Sequence, residues 1–205
     1  MKKRSQRRNS NDDIEDALFE KEPDLTPVMF EMPGDPDAPQ PLLVYLYKEI
    51  GSPENYIELC HALQYAEEGQ DITFRINTPG GSLHACASIV NAMLESRGNV
   101  YTILDGDASS AGAVIWMAGD VRSVASPHVT FMIHGASCGY GVTKLSNIKD
   151  NIESATALME GLLDDLAVGI VTEEERIDVR KGVDVYLSGT ELMRRLDALD
   201  VVTEV

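Results

Sequence analysis

The sequence has little cysteine, few aromatic side chains, few basic ones and no long apolar run, and most of these shortages exclude a class of protein. Its three cysteines, Cys60, Cys86 and Cys138, lie far apart with no C-x-x-C spacing. Neither a disulfide framework nor a zinc site is indicated, and small core residues in a reducing compartment are expected. No run of about 18 or more apolar residues is present, which argues against a membrane-spanning helix. Only 17 Lys and Arg stand against 34 Asp and Glu, a formal net charge of −17. That balance argues against nucleic acid or an anionic membrane surface as the main partner.

Five of the basic residues (Lys2, Lys3, Arg4, Arg7 and Arg8) fall in the first eight positions, leaving 12 against 34 acidic residues in the rest. No apolar segment follows this basic opening; Asp12, Asp13, Glu15 and Asp16 come next, so secretion is not expected and a cytoplasmic location is. What is present is enough for one sizeable core: 205 residues, 43% of them hydrophobic. Residues 1–40 are charged and interrupted by Pro23, Pro27, Pro33, Pro36 and Pro39, with Pro41 just beyond, which predicts a mostly disordered tail. Residues 41–205 are expected to form the folded domain.

Within that domain, Leu42 to Tyr47 reads as a strand, followed by a helix from Pro53 to about Glu68 with Ile57, Cys60, Leu63 and Gln64 on its inner face. Asp71 to Asn77 is a second strand, and a helix from about Leu83 to Ser96 places Ile89, Val90, Met93 and Leu94 at core spacing. Val100 to Leu104, Val121 to Ala125 and Val129 to Ile133 are further strands. The rhythm predicts an α/β fold of βαβ units around a largely parallel sheet. Lys144 to about Ile170 reads as a long helix with an apolar stripe that includes Ile148, Ile152 and Leu163, long enough to project from a small body. Thr172 and Glu175 fit a capping box. Leu192, Leu196 and Leu199 mark a last helix before a terminal strand at Val201-Val202.

Three motifs carry chemistry. The turn Asn77-Thr78-Pro79-Gly80-Gly81 follows a strand and leaves backbone N–H groups open to a carbonyl or oxyanion, although the same residues also make ordinary tight turns. Ala108-Ser109-Ser110-Ala111-Gly112-Ala113 puts a serine at the start of an apolar helix, where the first N–H groups lack intrahelical partners. Local chemistry leaves Ser109 and Ser110 equally eligible, and either also serves as a plain N-cap. Phe131-Met132-Ile133-His134-Gly135 ends a strand in an imidazole, the usual general base for a serine, though a histidine there is more often structural. His61, His84 and His128 read as structural.

Together with Asp184-Val185-Tyr186-Leu187-Ser188, these motifs resemble, in order and in spacing, the proteolytic subunit of Clp protease, from about residue 42 onward. The resemblance implies a crotonase-like α/β subunit with a protruding handle strand and helix at about residues 135–170. It implies a serine endopeptidase with Ser110 as nucleophile, His134 as base, Asp184 as third member of the triad, and the N–H groups of Gly81 and Ala111 as oxyanion hole. It also implies polypeptide substrates, a ring-shaped homo-oligomer enclosing the sites, no cofactor, and ATP entering only through a Clp-type ATPase partner. Departures are visible. Thr73 and Arg75 stand where the family usually carries aromatic residues for ATPase docking. Val183 replaces an arginine that helps couple two rings, and Gly135-Ala136 replaces Gln-Pro. Such divergence is similar to that of bacteriophage members, some of which mature capsids. The alternatives are therefore limited head-maturation processing, an acyl-CoA enzyme of crotonase type, or a ring subunit without catalysis.

Overall fold

Apolar residues alternate with polar ones along Asp71–Thr78 (β3), and this period of two buries Ile72, Phe74, Ile76 and Thr78 on one side. In the computed structural model, which describes residues 23–137 and 144–203, β3 lies inside the sheet. Its parallel neighbours are β2 (Leu42–Leu46) and β4 (Asn99–Ser109). β1 (Val28–Glu31) adds antiparallel to β2 at one edge. β5 (Val121–Val124) and β6 (Thr130–Ile133) both pair in parallel with β4, and β7 (Val185–Ser188) runs antiparallel to β6. The expected α/β class and mostly parallel sheet are observed.

A 3₁₀ turn at Pro53–Tyr56 leads into α1 (Ile57–Gln64), and α2 (Leu83–Glu95), α3 (Ala111–Met117), α4 (Leu145–Leu166), α5 (Glu173–Arg180) and α6 (Gly189–Thr203) follow. Six residues of α2, among them Cys86, Ile89 and Met93, are buried, and α3 is buried along its whole length. Trp116 on α3 meets Phe131 of β6 edge-on at 5.6 Å, and its indole N–H donates to the Ser123 carbonyl at 3.0 Å. Burying each such large side chain stabilises the fold by about 1.5–3 kcal/mol. That packing fixes the helix whose first turn carries the serine motif.

The structure departs from the sequence reading in four places. β1 lies inside the stretch expected to be tail: Pro27 and Pro33 flank a four-residue edge strand, and an edge tolerates both. The inner face is Tyr56 of the 3₁₀ turn with Leu59 and Leu63 of α1, while Ile57 is 66% exposed and Gln64, also expected inside, is exposed. The preceding 3₁₀ turn rotates each residue by about 120° instead of about 100°, which shifts the face. Leu94 is likewise exposed. Val201 and Val202 continue α6 instead of forming a strand.

Thr172 and Glu175 make the expected capping box, with Thr172 N–H donating to the Glu175 carboxylate at 2.8 Å and Glu175 N–H to the Thr172 hydroxyl at 3.2 Å. α4 is the expected long helix. Met159 and Leu163 in its second half are buried, whereas between Ser146 and Ser154 every residue but the half-buried Ile148 is exposed. The strand expected at the start of the handle, and Cys138, fall largely or wholly on residues 138–143, outside the described residues, as does most of the expected tail.

Candidate active site

β4 is longer than its neighbours because it serves two of them in turn. Its first half pairs with β5 at Tyr101 to Leu104, and its second with β6 at Asp107 to Ser109. Between the halves the register slips: Ile76 of β3 faces Leu104, but Thr78 faces Ala108. The Asn77 side chain fills the bulge, accepting from the Asp107 N–H at 3.0 Å, and a β-carbon on Gly106 would stand only 2.6 Å from its oxygen. This carries Ser109 and Ser110 past the end of β3, to where the Gly80-Gly81 turn lies.

The two serines then part. Ser109 is buried, and its hydroxyl donates to Asp107 at 2.6 Å. Ser110 is half-buried and is the only described non-glycine residue with positive φ, at φ 54° and ψ −119°. Its own N–H is taken by the Met132 carbonyl at 2.8 Å. The next N–H, that of Ala111, begins α3 and has no intrahelical acceptor.

Across from it, the Gly80 N–H donates to the Thr78 hydroxyl at 3.1 Å, and the Gly80 carbonyl accepts from Ile50 at 2.7 Å. The Ser82 N–H donates to the Ile50 carbonyl at 2.8 Å. In this parallel bridge Gly81 faces away from Ile50, and among the described residues its N–H has no acceptor. Positive φ at both glycines, 92° and 144°, is what permits the turn.

A cleft of about 240 Å³ gathers Gly81, Ser110, Ala111 and His134, with His84 and Met159 on its walls. Asp184 is brought near by register: Ile133 pairs with Val185, so one further antiparallel rung sets His134 against Asp184. Asp184 is exposed, and among the described residues no hydrogen bond joins it, His134 and Ser110 to one another. Such bonds are often long or misaligned before substrate arrives. Cys86, beneath α3, is no competing nucleophile: it is fully buried, and burial pushes its thiol up to about 12.

Sequence reasoning missed two contributors. Thr78 is buried, donates to the Lys48 carbonyl at 2.6 Å and accepts from Gly80, so it shapes the glycine turn. Its signal was the Thr-Pro-Gly order, since a hydroxyl two residues ahead of an N–H commonly caps it. His84 lines the cleft, although its sequence context reads as structural.

A family model described as Clp protease matches residues 43–195. The chain is 34% identical over 135 residues to the ATP-dependent Clp protease proteolytic subunit 1 of Cutibacterium acnes, covering 63% of this chain and 60% of that one. It is 27% identical over 130 residues to the protein of the same name in Bifidobacterium longum, covering 63% and 56%. It is 30% identical over 125 residues to the ATP-dependent Clp protease proteolytic subunit of Marchantia polymorpha, covering 55% and 62%. The chain thus spans about three-fifths of the length of these relatives.

Proposed function

The chain belongs to the Clp protease family, and we propose that it is a serine endopeptidase hydrolysing polypeptides with Ser110, His134 and Asp184. The observation that carries this is the cleft in which Ser110 and His134 meet two backbone N–H groups, of Gly81 and Ala111, left without protein acceptors among the described residues. His134 takes the Ser110 proton as the hydroxyl oxygen attacks the scissile carbonyl. The two N–H groups hold the tetrahedral oxyanion, each worth about 3 kcal/mol of transition-state stabilisation. His134 then passes the proton to the leaving amine, and water hydrolyses the acyl-enzyme by the same steps in reverse order. Asp184 fixes the imidazole tautomer and stabilises the imidazolium once its side chain closes onto His134. The chain's own residues carry every step, with no cofactor.

The reading extends to a cytoplasmic homo-oligomer. The exposed first half of α4, with Ile152 45% exposed, is the part expected to meet other subunits. A Clp-type ATPase remains the partner the family suggests, but one observation favours limited, ATPase-independent processing of the phage head-maturation kind. Arg75 donates twice to Asp105, at 2.6 Å each, and Tyr47 donates to the same carboxylate, so an ion pair occupies the surface where an apolar dock is expected.

A fluorophosphonate probe should label wild-type protein and leave Ser110→Ala unlabelled; an unlabelled, folded wild type would overturn the serine assignment. Native mass by light scattering should exceed that of one chain, and a stable monomer would overturn the ring.

A further inference from the structure

We propose that His84 is a specificity-determining residue of this cleft, donating a hydrogen bond to an acidic side chain next to the scissile bond of the substrate. The inference rests on reading the cleft as a peptide-binding site. His84 is the second residue of α2 and follows Gly81 by three positions. Side chains on a helix lean toward its N-terminus, so the imidazole is carried toward the Gly81 turn, and His84 lines the cleft beside Ser110.

Among the described residues, no contact requires a histidine there. The neighbouring Ala85 and Cys86 are buried in the core while His84 is exposed. Its carbonyl accepts from the Ser88 hydroxyl at 3.0 Å, but among the described residues its ring has no hydrogen-bond partner. His61, in contrast, stacks on Tyr65 at 4.5 Å.

The surroundings select the ligand. The chain has 34 acidic residues, yet none of those described lines this cleft. The adjoining cavity between α4 and α5 holds Glu160 together with Arg176 and Arg180, so the exclusion is local. An imidazole presents at least one N–H donor in every protonation state, and a carboxylate makes the stronger, charge-assisted bond to it. The other imidazole, His134, is committed to the serine proton under the proposed mechanism. His84 is therefore the imidazole left for the substrate, and, unlike the Ser82 and Ser137 hydroxyls that also line the cleft, it gains a positive charge when protonated.

The test measures binding in Ser110→Ala protein by fluorescence anisotropy, with two labelled hexapeptides that differ only in Glu against Gln at a central position. The Glu peptide should bind about 5-fold tighter. Adding His84→Ala should bring the ratio to one, and adding His84→Lys should preserve it. An unchanged ratio in the His84→Ala protein overturns the proposal. So does an equal loss of affinity for both peptides, which marks a structural role. If the ratio collapses as expected while wild-type Ser110 resists the fluorophosphonate, the peptide subsite stands and the serine mechanism fails.

Discussion

Gly80 and Ala111 meet backbone against backbone. A β-carbon built on Gly80 would stand 3.0 Å from the Ala111 nitrogen, 2.8 Å from the Ser110 β-carbon and 2.5 Å from the Ser109 carbonyl oxygen. Two turns about 30 residues apart in sequence are thus in contact, and the proposed oxyanion hole is the seam between them.

Gly80→Ala therefore strikes the site from both sides. The φ of 92° is one that a residue with a β-carbon rarely adopts, and the added methyl has only backbone and Ser110 to push against. We expect fluorophosphonate labelling of Ser110 to slow by about 100-fold, the effect of one lost oxyanion donor. A lowered melting temperature should accompany it. Labelling at the wild-type rate would show that the seam opens without consequence.

Ser110 stores backbone strain at the same seam. A serine at φ 54° and ψ −119° sits where glycine is at ease, and holding it there costs about 1–3 kcal/mol. Ser110→Gly and Ser110→Ala should both abolish labelling, but they should differ in stability. The glycine variant is expected to be more stable than the alanine variant by about 1 kcal/mol, or about 2–4 °C in melting temperature for a domain of this size. Equal stabilities would mean that the turn carries no strain.

Much of this arrangement is legible in the sequence where local chemistry decides it. The alternation in β3, the capping box at Thr172 and Glu175 and the glycine turn after β3 depend on neighbours within a few positions. What the sequence hides is set by distant partners. β1 becomes a strand only because Leu42–Leu46 offers an edge, and its proline-rich flanks read as tail. Local chemistry leaves Ser109 and Ser110 open and only the family resemblance points to Ser110; that the Ser109 hydroxyl donates to Asp107, beside the bulge that Asn77 props open, is set by the fold. Asp184 is one of 34 acidic residues, and composition alone does not mark it: the family resemblance points to it, and the β6–β7 register explains how it comes to lie opposite His134. His84 reads as structural in the sequence, and its place on the cleft wall emerges only once α2 packs against α3 and α4.

Arg195 clamps the end of the chain to α5. It donates to the Ile170 carbonyl at 2.6 Å, to both Glu175 oxygens at 2.7 and 2.8 Å, and to Glu191 at 2.7 Å. The guanidinium lowers the Glu175 carboxyl, and Arg194 and Arg195 together hold Glu191 down to about 2 from an ordinary 4.5. A carboxylate lowered on folding contributes stability that is complete above its unfolded value and fades as pH falls toward its folded one. Glu191 is the more solvent-exposed, so screening leaves Glu175 the larger share. Arg195→Met should destabilise the protein at pH 7 by about 2 kcal/mol, as expected for losing charged hydrogen bonds. It should also flatten the fall in stability below pH 4.5. A parallel pH curve, displaced but equally steep, would place the acid sensitivity elsewhere.

Cys86 offers a chemical probe of whether the α2–α3 contact stays closed. Its sulfur lies 3.5 Å from the Ala111 carbonyl, directly behind the proposed oxyanion donor, and burial pushes its thiol up to about 12. Cys60 is half-buried and its thiol is raised less, with its sulfur 3.7 Å from the Ser88 carbonyl. In a Cys138→Ser background, a thiol-disulfide reagent at pH 7.5 should modify Cys60 slowly in native protein and reach Cys86 only on unfolding, because attack requires the thiolate. Equal rates at both would mean that α3 lifts from α2 in the native state. Cys86→Val adds bulk against the Ala111 carbonyl in a space already packed, so strain of about 1–3 kcal/mol is expected there. If the position of Ala111 sets the oxyanion donor, this variant should remain folded yet label more slowly at Ser110, although residue 86 lines no part of the cleft.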